Sequence, residues 1–85
     1  MSDSYVPGSI LRDVRAKIST MGASEYDTVD RFTSMQEMFN KLQDLREEMN
    51  QAKKDAAAKA AAPYVELMQQ IESRYAFILK LKAGK

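Results

Sequence analysis

From residue 23 to residue 62 the chain contains neither glycine nor proline. Nothing in that interval breaks an α-helix by itself, and the order of its apolar residues selects helix over strand. Val29, Phe32, Met35, Phe39, Leu42, Leu45, Met49, Ala52 and Ala56 recur at steps of three and four. Such steps place them on one side of a 3.6-residue helix, close to a heptad seam. The period of two that marks a half-buried strand is absent. The interval predicts one long helix over 26–61. Ser24-Glu25-Tyr26-Asp27 ahead of it resembles a capping box, with Asp27 and Thr28 as rival caps. Asp27–Arg31, Glu37–Lys41 and Asp55–Lys59 are acid-to-base pairs four residues apart, each worth about 0.2–0.5 kcal/mol on a helix surface.

Two further helices flank this one. Pro7-Gly8 closes an extended, flexible leader over 1–8, and Ser9 is a suitable N-cap. Ile10, Leu11, Val14, Ile18 and Met21 then share a face, Asp13 and Lys17 pair at i,i+4, and Gly22 stands where a left-handed C-cap is wanted. The first helix is therefore expected over 9–21. On the other side of the long helix, Pro63 lacks the N–H that a helix interior needs but suits a first turn. Tyr64, Leu67, Met68, Ile71, Tyr75, Ile78 and Leu79 follow on one face, and Val65, Phe77 and Leu81 widen the apolar surface beyond it. This predicts a helix over 63–81 and a frayed tail at 83–85, so that 9–82 form a single helical domain.

Pro63 decides how the pieces are arranged. Either the chain reverses there and the last helix packs back on the long one, or the two form a kinked rod. At about 1.5 Å per residue the long helix spans roughly 50 Å and the last roughly 28 Å, which leaves the first helix to cover what remains. Residues 1–50 hold nine acids against six bases, and 51–85 three acids against seven bases. Antiparallel packing brings these opposite halves together, although head-to-tail stacking of subunits would use the same asymmetry. Reversal is the preferred reading. The expected fold class is all-α, an antiparallel helical hairpin with a short N-terminal helix, expected to be oligomeric.

Composition narrows function by exclusion. The 85 residues include no Cys, His or Trp. No disulfide framework, no thiolate or imidazole metal site and no Cys–His or Ser–His–Asp nucleophile can be built from them. Carboxylates recur at Asp27 with Asp30, and at Asp44 with Glu47 and Glu48. Di-iron bundles add a Glu-x-x-His element to such acids, so here they read as a solvated acidic face. Gly8, Gly22 and Gly84 are isolated and cradle no phosphate. No catalytic residue, metal or cofactor is expected. A formal charge of +1 is far from the basic footprint of a nucleic-acid binder, yet Lys53, Lys54, Lys59, Arg74, Lys80 and Lys82 form a candidate basic patch with Tyr75 and Phe77 nearby. The last helix is amphipathic with a basic end, but Glu66 and Glu72 on its polar face argue against a membrane-surface role. No signal-peptide pattern or membrane-length apolar run is present, which points to the cytoplasm, with signal-less export or a virion also compatible.

Association with protein is the expectation that remains. A chain of this length buries only about 60–65% of its unfolded surface when it folds alone. Its six methionines are many for its size, and thioethers adapt to irregular partners as readily as they fill gaps in a core. Candidate interface residues are Met35, Met38, Met49, Val65, Met68, Tyr75, Phe77 and Leu81. The expected function is a small, non-enzymatic interaction or assembly module, a homo-oligomer or one that binds another protein. A filament, virion or secretion-apparatus subunit is the first alternative, and a nucleic-acid or nucleotide binder using the lysine-rich C-terminal half is the second. In arrangement and length alone the layout resembles needle-forming subunits of bacterial secretion systems, and equally small secretion chaperones and phage-encoded inhibitors. The Pro-x-x-Pro turn of the needle subunits has no counterpart around Pro63, and no functional residue is carried over.

Overall fold

The computed structural model describes residues 8–55 and 58–84, the side chains of 55 and 58 excepted. The leader, apart from Gly8, and Lys85 of the tail lie outside the described residues, as do Ala56 and Ala57. The described chain is helical, with no strand among the described residues. Helix α1 spans Ser9–Thr20, α2 Phe32–Asn40, α3 Leu42–Asp55 and α4 Ala62–Ala83. Short 3₁₀ turns at Ser24–Tyr26, Val29–Arg31 and Ala58–Ala61 connect them.

Helix α1 starts one residue earlier in its capping than the sequence suggests. Gly8 is the N-cap, in the left-handed region at φ +91°, and Ser9 is already helical. No side chain of the cap itself bonds the first turn. At the other end Gly22 has φ +81° and donates its N–H to the Ser19 carbonyl at 3.2 Å. That is the left-handed exit predicted for it, and the one backbone shape there that a residue with a Cβ rarely takes.

The predicted single helix over 26–61 is interrupted. Its first residues form the two 3₁₀ turns, and neither Ala23 nor Thr28 makes a side-chain cap. A second interruption falls at Lys41, whose N–H reaches back three residues to Met38 at 3.0 Å rather than four. The reason lies in the seam. A heptad pattern has a period of 3.5 against 3.6 for the straight helix, a drift of about 20° per heptad. One tight turn at Lys41 lowers the average period. Leu42 and Leu45 on α3 thereby face the same side as Met35 and Met38 on α2, and all four are buried. Asn40, a weak helix former, precedes the turn.

Helix α4 carries Pro63 in its first turn, as expected, and runs two residues past the predicted end to Ala83. Gly84 donates to the Lys80 carbonyl at 2.8 Å and closes it. Contacts across the molecule are ordered. Tyr64 meets Glu48, Tyr75 stacks on Phe39 and Phe32, and Lys82 lies over Phe32. The core joins Val14 and Ile18 of α1, Met35 and Met38 of α2, Leu42 and Leu45 of α3, and Tyr64, Leu67, Met68, Ile71 and Ile78 of α4. Each of these large apolar side chains contributes about 1.5–3 kcal/mol when fully buried. The outline measures 49 × 26 × 19 Å, with a radius of gyration of 14.3 Å. A compact chain of this length has a radius near ~12 Å, so more side chains stay near water than in a sphere. Among the described residues no helix is long and apolar enough to cross a membrane.

Candidate interaction surface

Two buried polar clusters fix the helices against one another. In the first, Glu48 of α3 is only 3% exposed. Its Oε2 accepts the Ile10 N–H at 2.9 Å and its Oε1 the Leu11 N–H at 3.0 Å. The Tyr64 hydroxyl of α4 donates to Oε1 at 2.7 Å. A carboxylate from α3 therefore caps α1 in place of Ser9. It satisfies two of the four N–H groups that every helix start leaves open, and it sits at the positive end of the helix dipole. The expectation that Glu48 belongs to a solvated acidic face is corrected by this burial. Asp44 and Glu47 beside it are exposed.

The second cluster joins the segment between α1 and α2 to the middle of α4. Arg74 Nε donates to Asp27 Oδ2 at 2.8 Å and Nη2 to Oδ1 at 2.6 Å, with both side chains buried. The planar fork of arginine matches the two carboxylate oxygens. Asp27 thus turns to Arg74 and not to Arg31, four residues away. Arg31 instead donates to the Met21 carbonyl at the end of α1. Asp13 and Lys17 pair as predicted, at 3.8 Å and exposed. In the two buried clusters the carboxylates accept from donors on other elements, which makes them fasteners of the fold.

The predicted interface residues divide cleanly. Met35, Met38 and Met68 are buried core residues, and Met49 is half-buried and packed against them. Their thioethers fill the interior, which corrects the reading of a methionine-rich face. Tyr75 is half-buried, its ring stacked on Phe39 at 4.3 Å and on Phe32 at 5.8 Å between centroids. Val65, Phe77 and Leu81 are 40%, 50% and 37% exposed, and Leu79, which the spacing places on the inner face, is 43% exposed. At 100° per residue these four lie on two flanks of α4. Val65 and Leu79 stand on one side of the buried stripe, and Phe77 and Leu81 on the other. Phe77 also borders an open groove of about 1090 Å³ between α1 and α4, whose walls include Arg15, Ser19, Glu66 and Gln70.

The predicted basic patch does not assemble. Lys53 and Lys54 end α3 and Lys59 lies in the turn before α4, whereas Lys80 and Lys82 lie at the far end of α4, about 25 Å along its axis from Pro63. Arg74 between them is buried on Asp27, and the Lys82 ammonium lies 5.1 Å from the centre of the Phe32 ring. Among the described residues no group of three or more acidic, histidine or cysteine side chains is placed to hold a metal ion. Comparison with protein-family models, curated proteins and solved structures gives no match for the chain.

Proposed function

We propose that the chain is a non-enzymatic protein–protein interaction module. In this reading it is an antiparallel hairpin, with α4 returning along α3 and α2 and α1 added beside them, and it works as a homo-oligomer through α4. The opposed numbering of the contacts between Tyr64 and Glu48 and between Tyr75 and Phe39 supports the hairpin. The observation that carries the functional reading is the exposure of Val65, Phe77, Leu79 and Leu81 on a helix whose inner side already fills the core. A helix apolar on more than one side is matched to contacts on more than one side. The dispersed lysines and the paired Arg74 weigh against nucleic acid as the partner.

A filament or coat subunit is the second reading, favoured by the placement of exposed apolar residues on two opposed flanks of α4. Multi-angle light scattering with sedimentation velocity over a wide concentration series separates the readings. A small oligomer of fixed number is the expected result. Polymers of variable length would favour the filament, and a monomer at every concentration would remove both.

A further inference from the structure

We propose that the outer flank of α4 is the contact with a second copy of this chain, and that the two α4 helices meet antiparallel about a two-fold axis close to Ser73. The inference rests on the reading of the protein as an association module and names the partner and the face.

The face is a second seam on the same helix. Val65, Gln69, Glu72, Ala76, Leu79 and Ala83 follow at steps of four, three, four, three and four, the alternation that keeps a line of residues facing one partner helix. All six are exposed. The inner stripe of Tyr64, Leu67, Met68, Ile71 and Ile78 is already buried against the rest of the chain. Small side chains at Ala76 and Ala83 permit a close approach, and Val65 and Leu79 supply apolar area towards either end.

Charge selects the occupant and its direction. The exposed charges beside this seam are acidic towards the start of α4, at Glu66, and basic towards its end, at Lys80. Aligned antiparallel, seam positions pair as Val65 with Ala83, Gln69 with Leu79 and Glu72 with Ala76. Glu66 of each copy then faces Lys80 of the other, twice by symmetry. A parallel, in-register pairing would set Glu72 against Glu72 on the axis, where like charges repel. The same surface is therefore complementary to itself in one orientation and self-repelling in the other. Helix α4 has 22 residues, about 33 Å of axis. A single helix pair of that length falls at the small end of specific interfaces, which matches a reversible, concentration-dependent dimer.

The test is sedimentation equilibrium of the full chain with the variants Leu79→Glu, Glu66→Lys, Lys80→Glu and, as a comparison from the other flank, Leu81→Glu, about 160° around α4 from Val65. Circular dichroism on each confirms that helicity is retained, as expected for exposed positions. Glu66→Lys and Lys80→Glu each put like charges at both contacts and should raise the dimer dissociation constant about tenfold at low salt. An equimolar mixture of those two variants restores opposite charges at both contacts, so it should associate as tightly as the parent chain. Leu79→Glu should abolish the dimer and Leu81→Glu should leave it in place. A parent chain that stays monomeric throughout overturns the association reading itself. A parent oligomer that survives Leu79→Glu, or a mixture no tighter than its components, overturns this face while leaving association standing.

Discussion

The hydroxyl of Tyr64 donates at 2.7 Å to Glu48 Oε1, the same oxygen that accepts the Leu11 N–H at 3.0 Å. One carboxylate thereby ties the start of α1, the middle of α3 and the first turn of α4. Glu48→Ala removes the acceptor from two backbone N–H groups and a hydroxyl in a buried site. A buried donor left unsatisfied costs about 1–3 kcal/mol, so a loss of about 2–4 kcal/mol is expected. Glu48→Gln keeps one acceptor oxygen but loses the charge at the helix start, and should cost less. Urea denaturation measures both. Hydrogen exchange at the Ile10 and Leu11 amides should accelerate more than exchange in the middle of α4. Equal acceleration everywhere would mean that Glu48 acts on the whole fold and not on the α1 start.

Asp27 and Arg74 yield a different pattern, because both members are charged and buried. Asp27→Ala strands a guanidinium and Arg74→Ala strands a carboxylate, each a loss of about 3–5 kcal/mol. Replacement of the pair by apolar residues of similar size, Asp27→Leu with Arg74→Met, should recover most of that loss and can exceed the parent stability by about 1–4 kcal/mol. In a domain of this size each kcal/mol moves the melting temperature by about 4–8 °C, so thermal denaturation resolves the difference. A double variant no more stable than the singles would show that the pair directs the packing of the segment between α1 and α2 in addition to satisfying its own charge.

Much of the fold was legible because helix periodicity is a local signal. The steps of three and four located the stripes of α1 and α4, and Gly22 and Pro63 marked boundaries through their own backbone chemistry. The tight turn at Lys41 was hidden, since it depends on how two seams meet over many residues. Met38 is buried while Phe39, one residue on, is 37% exposed, since a step of one turns a side chain by about 100° around the helix. Glu48 had a readable sign: it lies three residues after Leu45, on the buried side of α3. The acid-rich neighbours Asp44 and Glu47 obscured it, because composition suggested a solvated face. Asp27 and Arg74 stand 47 positions apart, and nothing in either neighbourhood identifies the other. Local pattern also overvalued the methionines as surface, since a thioether on a helical stripe fits a core gap as readily as a partner.

Pro63 lies in the first turn of α4, where its missing N–H is one of those left open in any helix. The chain has already left α3 through the turn at Ala58–Ala61. Pro63→Ala should therefore leave the hydrodynamic radius unchanged, with α4 held by Tyr64 on Glu48 and Tyr75 on Phe39. Stability should fall by about 0.4–1 kcal/mol, because proline restricts the unfolded chain. Dynamic light scattering with chemical denaturation checks both. A marked increase in radius would show that proline, and not these contacts, sets the dimensions of the chain.

Met35 and Leu79 separate interior from surface by one measurement. The Met35 side chain is fully buried in α2 and surrounded by core residues, whereas Leu79 of α4 is 43% exposed. Met35→Ala leaves a cavity and loses its transfer energy, a cost of about 2–5 kcal/mol. Leu79→Ala removes a side chain that the monomer buries only in part, so the loss of stability at high dilution should be about 1 kcal/mol, well below that of Met35→Ala. At high concentration the order changes. Leu79→Ala should lower the apparent stability by the lost association, while the Met35→Ala deficit stays constant, because binding stabilises only the folded chain. Denaturation at two concentrations reads both quantities. A Leu79→Ala loss as large at high dilution as in concentrated solution would place Leu79 in the monomer core and remove it from the interface.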